Sequence, residues 1–179
     1  MKPMTPNRLT TFVGMLACAM PAFAQSNIDS TKKYAWTENC GWFNFRDANG
    51  TTQGVVVNVN HLQGFVWGEN VGWINTGNGG APYANTNDTN FGVNIGGGGI
   101  LTGFAWGENI GWINFNTQPQ IGAQAARYDT MAGRFRGFAW AENVGWVNLD
   151  DSIHFVASVP VCCPGNADKL SGQVTFADI

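Results

Sequence analysis

GFAWGENIGWINF (residues 103–115) sets two tryptophans six residues apart around a Gly-Glu-Asn, and the same word recurs through the chain. Aligned on it are YAWTENCGWFNF (34–45), GFVWGENVGWINT (64–76) and GFAWAENVGWVNL (137–149). The first tryptophans, Trp36, Trp67, Trp106 and Trp140, fall 31, 39 and 34 residues apart, and all eight tryptophans belong to the four copies. A self-similar period of this length marks a tandem array.

Within a copy the apolar pattern has period two. Phe104 and Trp106 share one face; after the Gly-Glu-Asn, Ile110, Trp112 and Asn114 oppose Gly111, Ile113 and Phe115, as on two strands flanking a turn. Asn in the connection suits a tight reversal, because it tolerates left-handed backbone. Each copy therefore reads as a hairpin.

Three further β-rich runs precede hairpins: GVVVNVN (54–60), FGVNI (91–95), followed by the turn GGGG (96–99), and AARYD (125–129). The first hairpin lacks such a run, whereas SIHFVAS (152–158) follows the last hairpin without one to lead. The fold class is thus all-β, about four three-stranded units, and the offset favours a closed ring or barrel-like array over an open solenoid. Closure also removes the edges that an open stack would have to protect.

After the first 24 residues, four leucines stand against eight tryptophans and ten phenylalanines. A buried Trp hides ~150–250 Å², worth roughly 4–6 kcal/mol as an upper bound. On that inventory the tryptophans are expected to be mainly core. The glycine before each second tryptophan (Gly41, Gly72, Gly111, Gly145) is expected to let a neighbouring aromatic lie against bare backbone.

Residues 1–24 read as a signal peptide. Lys2 and Arg8 precede the short apolar stretch LTTFVGMLACAM, and AFA before Gln25 fits a signal peptidase site; lipidation of Cys18 is the less favoured alternative. No later stretch is apolar enough for a membrane span. The remainder carries seven Lys plus Arg against twelve Asp plus Glu, a formal charge of −5, which argues against a nucleic-acid partner. The expected location is secreted, extracellular or at the cell surface.

Cys40 occupies the slot of Val71, Ile110 and Val144, so a buried apolar role is favoured over a disulfide with Cys162 or Cys163. Catalytic combinations are thin. One glutamate per copy (Glu38, Glu69, Glu108, Glu142) suggests a repeated turn device more than a carboxylate pair. His61 and His154 lack metal-ligand spacing, and neither a G-x-S-x-G elbow nor a P-loop is present. No catalytic residue is expected. Ligand binding is the stronger functional candidate: the tryptophan before each turn, Trp36, Trp67, Trp106 or Trp140, would stack on a pyranose while Asn and Glu bind hydroxyls.

The G-[FY]-[AV]-W-x-E-N-x-G-W-x-N word resembles a repeat of exported bacterial proteins of uncharacterised function, over residues 34–149. The tail VCCPGNADKLSGQVTFADI (161–179) is similar to the start of a type I dockerin, whose calcium loop is related to the EF-hand. The resemblance implies calcium ligation by Asn166, Asp168 and Asp178, with Ser171 and Leu170 competing for the fifth position, and a cohesin-like partner for an intact tail. With the sequence ending at Ile179, a C-terminally truncated fragment is expected. The domain reading is signal peptide 1–24, Trp-rich β-repeat domain 25–160 and truncated dockerin-like segment 161–179. The leading functional reading is a secreted, non-catalytic surface or matrix component; the alternative is a carbohydrate-binding module associated with polysaccharide degradation.

Overall fold

The structure, a computed structural model, describes residues 25–159. The signal segment, Cys162, Cys163 and the expected calcium ligands Asn166, Asp168, Ser171 and Asp178 lie outside the described residues. The strands in chain order are β1 (Ile28–Thr37), β2 (Gly41–Asn44), β3 (Val56–Val57), β4 (Leu62–Gln63), β5 (Phe65–Gly68), β6 (Gly72–Asn75), β7 (Val93–Ile95), β8 (Leu101–Gly107) and β9 (Gly111–Asn114). After one helical turn, α1 (Gln118–Ile121), follow β10 (Arg127–Asp129), β11 (Arg134–Arg136), β12 (Phe138–Ala141), β13 (Gly145–Asn148) and β14 (Val156–Ser158).

The four repeated words form the hairpins β1–β2, β5–β6, β8–β9 and β12–β13. Between hairpins, β2 pairs with β5, β6 with β8, β9 with β12 and β13 with β1, all antiparallel. The result is a closed eight-stranded barrel. The leading runs pair below it: β3 with β4, β7 with the first half of β8, and β10 with β11. The fourth leading strand is β14, which pairs with the first half of β1, Lys33 opposite Val156. The strand that follows the last hairpin thus completes the first repeat, as the sequence offset implied.

Each hairpin tip is built alike. In three copies the reversal is closed by a backbone bond of 3.2 Å, from Val71 to Gly68, Ile110 to Gly107 and Val144 to Ala141. The first copy substitutes the Thr37 hydroxyl, which accepts from the Cys40 amide at 3.1 Å. The following glycine takes the left-handed backbone, with φ +76° at Gly111. A three-residue loop plus a left-handed residue needs glycine there, because a Cβ would clash with its own backbone. This corrects two expectations. The tip asparagine has no positive φ, and a Cβ on Gly41, Gly72 or Gly111 would meet only ordinary contacts, while on Gly145 it would run into the Glu38 carboxylate; the positive φ, not a stacked aromatic, is what the four glycines share.

The tip asparagine instead ties its hairpin to the preceding one. Asn70 Nδ2 donates to the Cys40 carbonyl (3.2 Å), Asn109 to Val71 (3.0 Å) and Asn143 to Ile110 (3.2 Å). Asn39 closes the circle onto Val144 at 3.2 Å, and there Glu38 Oε2 also accepts from the Trp146 amide at 3.0 Å. At the other end of each hairpin the last asparagine turns the chain away. Asn44, Asn75, Asn114 and Asn148 each accept from the backbone amide two residues on, at 2.8–2.9 Å, the Asx-turn arrangement.

The strand alternation sorts the side chains. Inside lie Ala35, Val66, Ala105 and Ala139 from the first strands and Phe43, Ile74, Ile113 and Val147 from the second, all at most 2% exposed. Val71, Ile110 and Val144 close the tip end with the half-buried Cys40, which has no disulfide partner among the described residues. Phe45, Thr76, Phe115 and Leu149 close the other end. The residual central void is about 10 Å³, no more than the minimum for one water. The apolar packing continues below the barrel through Ile28, Leu62, Leu101, Phe135 and Val156.

The tryptophans are outside this barrel. Trp36, Trp67, Trp73, Trp106, Trp112 and Trp140 are 38–43% exposed, and Trp42 and Trp146 are half-buried. The expectation that they form the core is overturned: the alternation was right, but the face holding Ala, Val, Ile and Phe is the buried one.

Urea denaturation separates the two faces. Phe43→Ala is expected to cost about 3–5 kcal/mol as a buried ring lost from a filled interior. Trp106→Ala should cost about 0.5–1.5 kcal/mol, the scale of a cross-strand aromatic pair, and leave a folded barrel. A larger loss at Trp106 than at Phe43 would contradict the assignment of faces.

Candidate functional site

The outer wall carries a belt of tryptophans whose spacing follows from the strand register. Within hairpins Trp36 stands opposite Trp42, Trp67 opposite Trp73, Trp106 opposite Trp112 and Trp140 opposite Trp146. Their ring centroids are 4.7, 5.4, 4.7 and 4.9 Å apart, with the planes inclined by 60–77°. Such inclined contacts place ring edge against ring face and contribute about 0.5–1.5 kcal/mol per pair. Across hairpins the same register sets Asn148 opposite Trp36, Asn44 opposite Trp67, Asn75 opposite Trp106 and Asn114 opposite Trp140. The belt is thus four Asn-Trp-Trp groups.

All four sequence candidates, Trp36, Trp67, Trp106 and Trp140, lie on this face, each in its own group. Sequence reasoning missed their partners Trp42, Trp73, Trp112 and Trp146. The signal was available, since Trp112 shares its face with Asn114 and every copy ends in the same Trp-x-Asn.

The four groups differ in what surrounds them. Trp42 is covered by the His154 ring, 4.8 Å between centroids. Phe65 packs edge-on against Trp73. In the third copy, residues 85–88 with Phe91, Phe104 and Trp112 line an open cleft of about 330 Å³. Trp112 there meets Phe91 at 5.0 Å and Phe104 at 6.0 Å. The fourth copy has a cleft of about 410 Å³ lined by Asn114, Thr117, Gln120, Trp140 and Trp146. α1 supplies its wall, beginning with Pro119 in the first turn, where the missing N–H costs nothing.

The repeated glutamates sit at the hairpin tips, away from the tryptophan clefts, whereas Asp88 borders the cleft at Trp112. Glu69, Glu108 and Glu142 are exposed at the tips with Glu38, and each belongs to a different hairpin. No group of three or more His, Cys, Asp or Glu side chains converges on a metal position among the described residues. His61 bonds Asn58 and Asn60, remote in the chain from His154. Among the described residues no helix is long and apolar enough to cross a membrane.

Below the barrel, ion pairs gather at the strand ends: Lys33 with Asp47, Arg134 with Asp150, and Arg136 with Asp129 and Asp150. The Thr31 hydroxyl, with the amides of Thr31 and Lys32, holds the Asp29 carboxyl below the usual value of 3.8. At Asp47 burial pushes upward most strongly, but hydrogen bonds from Lys33 and Asn44 with the Lys33 and Arg46 charges outweigh it, and the carboxyl is also depressed.

No known family profile, curated protein or solved structure matches the chain.

A depressed native carboxyl stabilises the fold at pH above its unfolded value and loses that contribution as pH falls through its native value. Stability measured by urea midpoint should therefore decline below about pH 3.8. Asp47→Asn should be less stable than wild type at pH 7 and show a shallower acid decline. Equal declines in the two proteins would remove Asp47 from the acid response.

Proposed function

We propose that the chain is an exported, non-catalytic β-barrel that binds polysaccharide through its outer tryptophan belt. The observation that carries this reading is the exposure of six tryptophans at 38–43% around the outside of a barrel whose interior is already filled. Large aromatic surface left in water is costly and marks interaction sites. A pyranose ring offers a C–H face to an indole, while its hydroxyls suit the neighbouring amides of Asn75, Asn114 and Asn148.

The scarcity of charge on the belt supports a sugar over a charged macromolecule, and the acidic total charge supports neither nucleic acid nor an anionic surface. The signal-like residues 1–24 support secretion. The dockerin-like tail, with calcium through Asn166, Asp168, Ser171 and Asp178, supports attachment to a cohesin-like partner on a cell-surface or matrix assembly. In this reading the barrel is the sugar-contacting part and the tail the tether.

Tryptophan fluorescence tests the proposal directly, because every indole belongs to the belt. Soluble polysaccharide should reduce quenching by acrylamide and shift emission to the blue as rings leave water. An unchanged quenching constant across neutral and acidic polysaccharides would sink the reading.

A further inference from the structure

We infer that the belt is not used evenly: the third and fourth repeats form one extended subsite for a neutral, uncharged glycan chain. This rests on the polysaccharide-binding reading above and adds the place and the chemical class of the ligand.

Position is argued from the walls. Four equivalent tryptophan pairs would bind weakly and alike if bare rings were all that mattered. The structure makes them unlike. The pair Trp36–Trp42 has the His154 ring seated on one member, and the cleft of about 360 Å³ beside the second hairpin is lined by Phe65, Asn75 and Tyr83 and by neither Trp67 nor Trp73. The long connection between the second and third hairpins supplies residues 85–88 as a wall beside Trp112, whose ring Phe91 holds by edge contact. The connection between the third and fourth supplies Thr117 and Gln120 as a wall against Trp140 and Trp146. A walled cleft buries both faces of a sugar unit, whereas an open ring covers one.

The two clefts are neighbours. Asn114 lies opposite Phe104 of β8 on one side and opposite Trp140 of β12 on the other. Those flanking strands are two ladder spacings apart, about 10 Å, a span that consecutive units of one chain can bridge. Asn114 Oδ1 is engaged by the Asn116 amide at 2.8 Å, while its Nδ2 has no acceptor among the described residues, so the cleft it lines keeps an amide donor for a hydroxyl. Turned with its nitrogen towards the chain, the Gln120 amide donates to the carbonyls of Thr117 (3.1 Å) and Asn116 (3.3 Å), leaving its oxygen to accept from a hydroxyl. One amide donor and one amide acceptor, between aromatic rings, fit alternating hydroxyls on a sugar edge.

The class of sugar follows from charge. Neither cleft is lined by Lys, Arg or His, and the first is bordered by Asp88. The basic side chains are held below the barrel, Lys33, Arg134 and Arg136 in ion pairs, and Arg127 on the Ala123 carbonyl. A uronate or sulfate would approach this surface with no cation to meet and a carboxylate to oppose it. A neutral hexose polymer meets neither obstacle.

Affinity electrophoresis of the full chain through gels containing galactomannan, hydroxyethyl cellulose or polygalacturonate tests both parts. Wild type should be retarded by a neutral polymer and run freely through polygalacturonate. Trp112→Ala and Trp140→Ala should each weaken retention about tenfold, and Gln120→Ala, whose side chain is exposed and outside every strand, about threefold. Trp67→Ala and Trp73→Ala should remain within about twofold of wild type, with thermal melting confirming each fold. Equal losses at Trp73 and Trp140, or retention by polygalacturonate above that by the neutral gels, would overturn the localised neutral subsite while leaving polysaccharide binding intact. No retardation of wild type in any gel would overturn both.

Discussion

The narrow interior of an eight-stranded barrel is the constraint on which the rest of this molecule depends. Such a barrel has room for side chains and little else. Here each first strand sends Ala or Val inward (Ala35, Val66, Ala105, Ala139) and each second strand sends Phe, Ile or Val (Phe43, Ile74, Ile113, Val147). Small residues facing larger ones let four hairpins meet without overlap. Four indoles in one layer would exceed the space that these alanines leave. The tryptophans are outside because the hairpins close, and the wall that carries them is fixed by what fills the centre.

Closure itself is specified by polar detail more than by area. Every tip asparagine reaches the carbonyl of the hairpin before it, so the same bond that sets the second hairpin on the first also sets the first on the fourth. A hydrogen bond of this kind adds only about 0.5–1.5 kcal/mol. Its greater effect is on register, since a one-residue slip would move Ala105 and Ile113 to the outer wall. The leading strands reinforce the same solution, because β14 has its partner in β1 only when the ring is shut.

Much of this was legible in the repeat. The period of two and the hairpins follow from GFAWGENIGWINF and its copies, and the ring from the spare run SIHFVAS after the last copy. The face was misread because an inventory of apolar area ranks Trp first, whereas barrel geometry selects by volume. The corrective signal was polar: Trp112 and Asn114 lie on one side of β9, and a side that ends in Asn in every copy is not the interior. The glycine was misread for a related reason, as space for a neighbour when its backbone dihedral was the demand. The clefts were out of reach, since they depend on where the connections 76–100 and 115–137 fold back, and those connections do not repeat.

That division between repeated hairpins and unrepeated connections bears on how the wall can bind. A side chain that must be ordered on binding costs roughly 0.5–1.5 kcal/mol. Trp140 is already held by Trp146 at 4.9 Å across the ladder, so that cost has been met in folding. The cross-strand pair therefore serves twice, stabilising its hairpin and presenting a rigid aromatic surface. If the belt binds polysaccharide as proposed, selectivity must come from groups outside the ladder. Gln120, on the one α-helical turn among the described residues, is such a group: it lies outside every strand pair and beside the rings of Trp140 and Trp146.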